Sequence, residues 1–252
     1  MKPIDFTGKT AVLTGAASGM GRLAAEELSR AGAAVVMCDI NADVLAEAAN
    51  MINSLGCGRA FPLVVDVRKF ADAERSAALA VEKTGRIDIV IPFAGGYEPR
   101  MCNSPVPFFE QPVEVLDWGI DVNLKGAIYF ARACMPAMVK GGNGGAICCL
   151  GSTSGFEGDA RGAMYGTAKS GLFTFVKGLA LAGAPYGIRA FCVTPGPVMT
   201  RPGMSGMKTL LDTQAEPREL VDYILYLCSE NGRCVTGSNH VMDCGRLTMK
   251  PQ

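Results

Sequence analysis

Tyr165 and Lys169 stand four residues apart in a stretch, 163–182, whose apolar spacing is helical. They therefore share one helix face, a turn apart. A phenol titrates near 10, leaving about 0.1% phenolate at neutral pH. A lysine ammonium about 4 Å away, at an effective dielectric of 20, favours the anion by about 4 kcal/mol. That is about three pKa units, enough to bring a phenol into the working range of a general acid–base. Alone, such a pair is an ordinary helix-surface motif. A second constellation gives it a task. The first apolar run ends in Thr14-Gly15-Ala16-Ala17-Ser18-Gly19-Met20-Gly21, and a helical stretch follows. Glycines let the backbone turn tightly and approach a pyrophosphate, and the helix start aims N–H groups at it. Asp39 closes the second run, at the spacing where an acid accepts ribose hydroxyls. A dinucleotide and an activated phenol are the two halves of alcohol oxidation: a hydride acceptor and a base for the hydroxyl proton.

Asp39 also bears on which dinucleotide binds. A carboxylate there repels a 2′-phosphate and hydrogen-bonds a free 2′-hydroxyl. Ser18, Ile40 and Asn41 bring no cation, and Arg22 lies a turn into the helix, where it reads as solvated. NAD is therefore expected over NADP.

Composition removes other classes. The 252 residues hold a single histidine, His240, so a multi-histidine metal site is excluded and no metal is expected. Lysine plus arginine is 24 and aspartate plus glutamate is 24, so no basic surplus favours nucleic acid. No run of 18 apolar residues suggests a membrane span. The opening MKPIDFTGKT has no apolar stretch behind its charge, so no secretory leader is expected. Ten cysteines without a Cys-x-x-Cys pair read as free thiols of a reducing, cytoplasmic compartment. Cys148 and Cys149, adjacent in an apolar run, read as small core residues.

The elements that must position these groups alternate. Short apolar runs at 10–14, 34–38, 63–65, 88–91, 146–150, 189–193 and 239–242 read as strands. Helical patterns fill 19–31, 42–55, 71–84, 163–182 and 217–228, with one or two helices over 113–139. Asn41 is a plausible N-cap. The expected fold is α/β: a Rossmann-like, doubly wound parallel sheet of about seven strands with helices on both faces. Residues 1–252 read as a single domain that binds the dinucleotide and carries the catalytic groups. Gly141–Gly145 reads as a helix end and a turn.

With these motifs in order, the chain resembles the compact short-chain dehydrogenases/reductases. The resemblance rests on TGAASGMG, Asp66-Val67, Ala94-Gly95, Asn123 in DVNLKG, Ser152 in LGSTSG, Tyr165 to Lys169 in YGTAK, Pro195-Gly196 with Thr200, and the closing TGSNHVMDCG. It implies Tyr165 as general acid–base and Lys169 as the residue lowering its pKa and binding the nicotinamide ribose. It implies Ser152 orienting the substrate oxygen, with Ser154 the lesser candidate, and Asn123 holding a water on a proton path. Gly15, Ser18, Gly19, Met20, Gly21, Asp39, Asp66, Val67, Ala94 and Gly95 would line the dinucleotide. Pro195, Gly196, Val198 and Thr200 would fix the nicotinamide carboxamide. The family's Asn-Asn-Ala-Gly is Pro92-Phe93-Ala94-Gly95 here, the usual asparagine after Arg189 is absent, and its Asp-Gly-Gly is Asp243-Cys244-Gly245. The first departure puts the local geometry beside the cofactor in question.

The substrate would be met by loops 96–111 and 153–164 and a short lid after Thr200. Gly96, Tyr97, Ser154, Phe156, Asp159 and Met204 are the candidate contacts. The charged second loop leans towards a polyol or sugar-derived alcohol. The aromatics and the cluster Met199, Met204 and Met207 suit a hydroxysteroid or other apolar alcohol, and a 3-oxoacyl substrate remains an alternative. The four-residue tyrosine–lysine spacing fits carbonyl rather than enoyl reduction. A dinucleotide-binding regulator without catalysis is the reading from another class, opposed by the complete Asn123, Ser152, Tyr165 and Lys169 set. Members of this family form tetramers or dimers, and the small residues Ala163, Gly166, Ala168 and Gly171 suggest close helix packing in a homo-oligomer. His240 and Trp118 read as packing residues.

Overall fold

The computed structural model describes residues 2–249. Seven apolar runs form one parallel sheet: β1 (Thr10–Thr14), β2 (Ala34–Asp39), β3 (Arg59–Val64), β4 (Ile89–Pro92), β5 (Gly145–Leu150), β6 (Ile188–Pro195) and β7 (Asn239–Met242). Their spatial order is β3-β2-β1-β4-β5-β6-β7. The chain winds outward one way from β1 and then returns to wind the other way from β4. The loops leaving β1 and β4 therefore diverge, and they open a crevice at the carboxyl ends of the strands.

Alternation along each strand divides the core in two. Ala11 and Leu13 point into one layer and Val12 into the other. Cys148 and Cys149 do the same, each buried on its own face of β5, and all ten cysteines are free. Helices α1 (Gly19–Arg30), α2 (Ala42–Ser54) and, at the far end of the chain, α8 (Pro217–Cys228) cover the first layer. Helix α3 (Phe70–Thr84), α6 (Gly126–Gly141) and α7 (Ala163–Gly183) cover the second. Pro62 lies in β3, an edge strand with one neighbour, where a missing N–H is tolerated.

Three local findings go beyond the sequence expectation. A short helix, α4 (Glu98–Met101), stands in the loop after β4. The 113–139 stretch is α5 (Val113–Ile120) running through a π-helical turn, Asp121–Lys125, into α6. Strand β6 continues to Pro195 because Thr194 and Pro195 pair with Val241 and Met242. The glycine cluster behaves as expected: Gly142 closes α6 in the left-handed region at φ 65°, and the chain turns into β5.

Candidate active site

The glycine loop leaves β1 with no room for a side chain at Gly15 or Gly21. A Cβ on Gly15 would lie 2.8 Å from the Ala94 nitrogen, and one on Gly21 would overlap the Gly15 carbonyl. Ser18 makes no side-chain cap to α1, so the cap leaves the first-turn N–H groups to an anion. Asp39 faces the same loop: Oδ2 accepts the Ala17 amide at 3.0 Å and Oδ1 the Asn41 amide at 3.0 Å. Each oxygen keeps a lone pair for a ribose hydroxyl. Arg22 is exposed, as expected. Asp66 is engaged by Arg68, whose guanidinium holds the carboxyl below its ordinary range. Val67 packs against Gly126 of α6.

The replacement of the asparagines before Ala94 has a local answer. Pro92 ends β4 as a buried residue, Phe93 packs on the first layer, and Thr14 braces the turn. The Phe93 amide reaches the Thr14 carbonyl at 3.2 Å and the Ala94 amide its hydroxyl at 3.0 Å. Gly95 then passes so close to Asn123 that a Cβ would lie 2.7 Å from Oδ1 and 3.6 Å from Lys169 Nζ. Asn123 sits in the π-helical turn, 2% exposed. Its Nδ2 donates to the Gly96 and Gly119 carbonyls, both at 2.9 Å, and its Oδ1 accepts the Gly96 amide at 2.8 Å. The side chain ties α5 to the loop after β4.

Lys169, 6% exposed, donates to the Leu150 carbonyl at 2.7 Å, with Nζ 5.5 Å from the Tyr165 ring centroid. Leu150 ends β5 two residues before Ser152, whose Oγ accepts the Ser154 amide at 3.2 Å. Asn123, Ser152, Tyr165 and Lys169 thus come from the π-helical turn, the β5 loop and α7, at the carboxyl ends of β4 and β5. One substrate candidate, Tyr97, adjoins Tyr165 and is tied to a second, Asp159. The Tyr97 ring meets that of Tyr165 edge-on at 6.1 Å, and the Tyr97 hydroxyl donates to Asp159 at 2.8 Å. The same Asp159 oxygen accepts the Arg161 and Gly162 amides. Burial works against ionisation of Asp159, yet these donors hold it below the ordinary range. Burial first, and Asp159 second, push Tyr97 up to about 12.

Glu98 belongs to none of the sequence motifs. It is 0% exposed, and its Oε1 accepts the Met164 and Tyr165 amides at 3.0 and 3.1 Å. Its sequence signal, an acid before Pro99 in a glycine-started loop, does not reveal burial.

Other candidates lie further along these loops. Phe156 stacks on Phe173 of α7 at 4.6 Å, and the Ser154 carbonyl faces Gly166. Gly196 packs against Asp243, Val198 bridges to Ala215, the Thr200 amide turns back to the Val198 carbonyl, and Met204 is half-buried in a short turn. Arg246 pairs with Glu157 at 2.9 Å, joining the C-terminal segment to the β5 loop. The small residues of α7 serve packing within the chain: Gly166 admits the Ser154 carbonyl, Gly171 admits Leu124, and Ala168 is buried. His240 is a packing residue, bonded through both ring nitrogens to Tyr223 and Ser238.

The family profile described as Enoyl-(Acyl carrier protein) reductase matches residues 15–246. L-rhamnose 1-dehydrogenase (NAD(P)(+)) of Azotobacter vinelandii is 32% identical, over 94% of this chain and 96% of its own. Trans-4-hydroxycyclohexanecarboxylate dehydrogenase of Sinomonas cyclohexanicum is 33% identical, over 94% of this chain and 92% of its own. The crystal structure of a short-chain type dehydrogenase/reductase from Mycobacterium marinum superposes with a TM-score of 0.88 at 31% identity, covering 96% of each chain. A doubly wound sheet with a glycine loop at β1 and a tyrosine–lysine helix after β5 defines a dinucleotide-dependent oxidoreductase. The chain belongs to the short-chain dehydrogenase/reductase family and is an NAD(P)-dependent alcohol/ketone oxidoreductase.

Proposed function

We propose that the protein interconverts a secondary alcohol and a ketone with NAD, Tyr165 acting as general acid–base. The observation that carries this reading is the buried Lys169 ammonium beside the Tyr165 ring, one turn along α7, where α7 meets the glycine-lined crevice. In oxidation Tyr165 takes the hydroxyl proton while Ser152 holds the substrate oxygen. Lys169 stabilises the phenolate and binds the nicotinamide ribose, and Asn123 keeps a water in line from Lys169 to solvent. The dinucleotide, when bound, supplies the hydride acceptor or donor.

The tight turn made by Gly15, Gly19 and Gly21, with Ser18 and Met20, suits the pyrophosphate, and Asp66 and Val67 the adenine. Ala94, Gly95, Pro195, Gly196, Val198 and Thr200 would frame the nicotinamide end. The anchored Asp39 carboxylate favours NAD over NADP.

A polyol or sugar-derived alcohol is the favoured substrate. Tyr97, whose ring meets Tyr165, pairs its hydroxyl with the Asp159 carboxylate, and the rhamnose and hydroxycyclohexanecarboxylate dehydrogenases are named for hydroxyl-bearing substrates. An apolar alcohol such as a hydroxysteroid is the second reading, favoured by Phe109, Leu210 and Leu211, exposed on the β4 loop and the lid. Absorbance at 340 nm with NAD or NADP and a panel of sugars, polyols, hydroxysteroids and 3-oxoacyl thioesters tests both. Turnover confined to steroids overturns the polar reading. No turnover of any alcohol or ketone overturns the reaction.

We read the assembly as a homo-oligomer in a cytoplasmic, reducing setting. The face we propose to pair is a largely apolar groove of about 420 Å³ between α6 and α7, lined by Ile128, Arg132, Met135, Pro136, Val139, Phe175 and Leu179.

A further inference from the structure

Helix α7 carries Tyr165 and Lys169 but has no cap of its own. Its N-cap position is Gly162, which has no side chain to offer. A side chain there has no room either, because a Cβ on Gly162 would overlap the Tyr97 ring. The second and third helical amides, Met164 and Tyr165, have no intrahelical acceptor, as in the first turn of any helix. The acceptor comes instead from another element. Glu98 of α4 places Oε1 on both amides, at 3.0 and 3.1 Å. Its carboxylate is fully buried, and Oε2 has no hydrogen-bond partner among the described residues. Gly119 of α5 makes the space, since a Cβ there would lie 3.4 Å from Glu98 Cδ and 2.7 Å from Met164 Cβ.

Two features separate this from ordinary capping. A serine or asparagine at the cap position normally supplies the bond, without burying a charge. A buried carboxylate with one oxygen unpartnered is a costly substitute. The bond also falls on the backbone of Tyr165 itself, and its source is next in sequence to Tyr97. Tyr97 touches the Tyr165 ring edge-on and reaches Asp159, which holds the Arg161 and Gly162 amides. Adjacent residues of the β4 loop therefore grip the start of α7 at two points.

We infer that Glu98 is a positioning residue for the reaction: it clamps the first turn of α7 so that Tyr165 stays in register with Ser152 and Lys169. The clamp also couples that register to the β4 loop, so a substrate pressing on Tyr97 acts on the backbone of Tyr165. This inference rests on Tyr165 being the acid–base of the proposed reaction. A misplacement of about 1 Å costs about 100-fold in rate. The effect therefore falls on turnover, while the dinucleotide contacts on β1 and β2 are untouched.

The test compares Glu98→Gln, which keeps an oxygen for both amides, with Glu98→Ala, which keeps none. NADH titration counts competent sites, and kcat per site and KM are measured with the best alcohol of the panel. Glu98→Ala is expected to lower kcat per site about 10- to 100-fold, with NADH affinity within about twofold, while Glu98→Gln stays within about threefold of wild type. Equal losses in the two variants, or an alanine loss accounted for by fewer NADH sites, overturn the inference. Amide exchange at Met164 and Tyr165 gives a reading that needs no substrate. Faster exchange in Glu98→Ala than in wild type and Glu98→Gln supports the clamp, and unchanged exchange overturns it. A wild-type protein that turns over no alcohol refutes the proposed reaction instead, and the exchange measurement still decides the clamp.

Discussion

Replacing Asp39 by asparagine should collapse the proposed preference for NADH over NADPH. The carboxylate is held at the end of β2 by the Ala17 and Asn41 amides, so the position from which it would meet the adenosine ribose in the proposed complex is set before any ligand arrives. A unit charge about 4 Å from another costs about 1 kcal/mol in water and about 4 kcal/mol at an effective dielectric of 20. Asp39 is half-buried, which places the penalty near 2 kcal/mol per unit charge. A 2′-phosphate carries between one and two charges, and salt screens part of the repulsion, leaving about 2–3 kcal/mol. That is a discrimination of about 30- to 150-fold. Asparagine removes the charge but keeps an oxygen for the loop amide. Alanine would release Ala17 as well, loosening the phosphate loop for both dinucleotides. Fluorescence titration at fixed ionic strength should show wild type binding NADH at least about 30-fold tighter than NADPH. Asp39→Asn should cut that ratio at least about tenfold, mostly by tightening NADPH. An unchanged ratio, or a wild type that prefers NADPH, refutes the reasoning.

Three further outcomes follow from the geometry. Tyr165→Phe should reduce turnover at least about 1,000-fold with NADH affinity within about threefold, measured by steady-state kinetics and titration; retained turnover sinks the acid–base role. Burial lowers the pKa of His240 below its ordinary 6.5, so the unfolded chain binds the extra proton first as pH falls. The stability tied to His240 is present above pH 6.5 and is lost as pH drops through the folded value. Since His240 is the single histidine, the decline of Tm between pH 6.5 and 5 should flatten in His240→Phe, and a slope equal to that of wild type would contradict this. Ile128→Arg should place a second arginine beside Arg132 in the α6–α7 groove and shift sedimentation at micromolar concentration from oligomer to monomer. A wild type that sediments as a monomer removes that face as an interface.

Much of the reactive geometry is readable from local spacing. The glycine loop, Asp39 at a strand end and the tyrosine–lysine pair one turn apart are each written in a few consecutive residues. Phe93 shows where such reading stops. Its departure from the family pattern raises doubt about the cofactor loop, and only the fold shows Thr14, from the neighbouring strand, bracing that turn. The small residues of α7 show the same limit from the other side. Their spacing suggests contact between copies, whereas Gly166 and Gly171 admit Ser154 and Leu124 of their own chain.

By itself the sequence determined the class of chemistry. One histidine, balanced charge, a phosphate loop and a tyrosine–lysine turn leave alcohol–ketone interconversion with a nicotinamide dinucleotide. These signals survive in one dimension because helix and strand periodicity carries them. Tertiary structure alone decided how Tyr165 is held. The π-helical turn aims Asn123 at Gly96, and Gly162 yields its cap to Glu98, 64 residues earlier in the chain and brought to α7 by the winding of the sheet. Such contacts join residues with no common period, so their register is set by how the elements pack and not by the residues themselves.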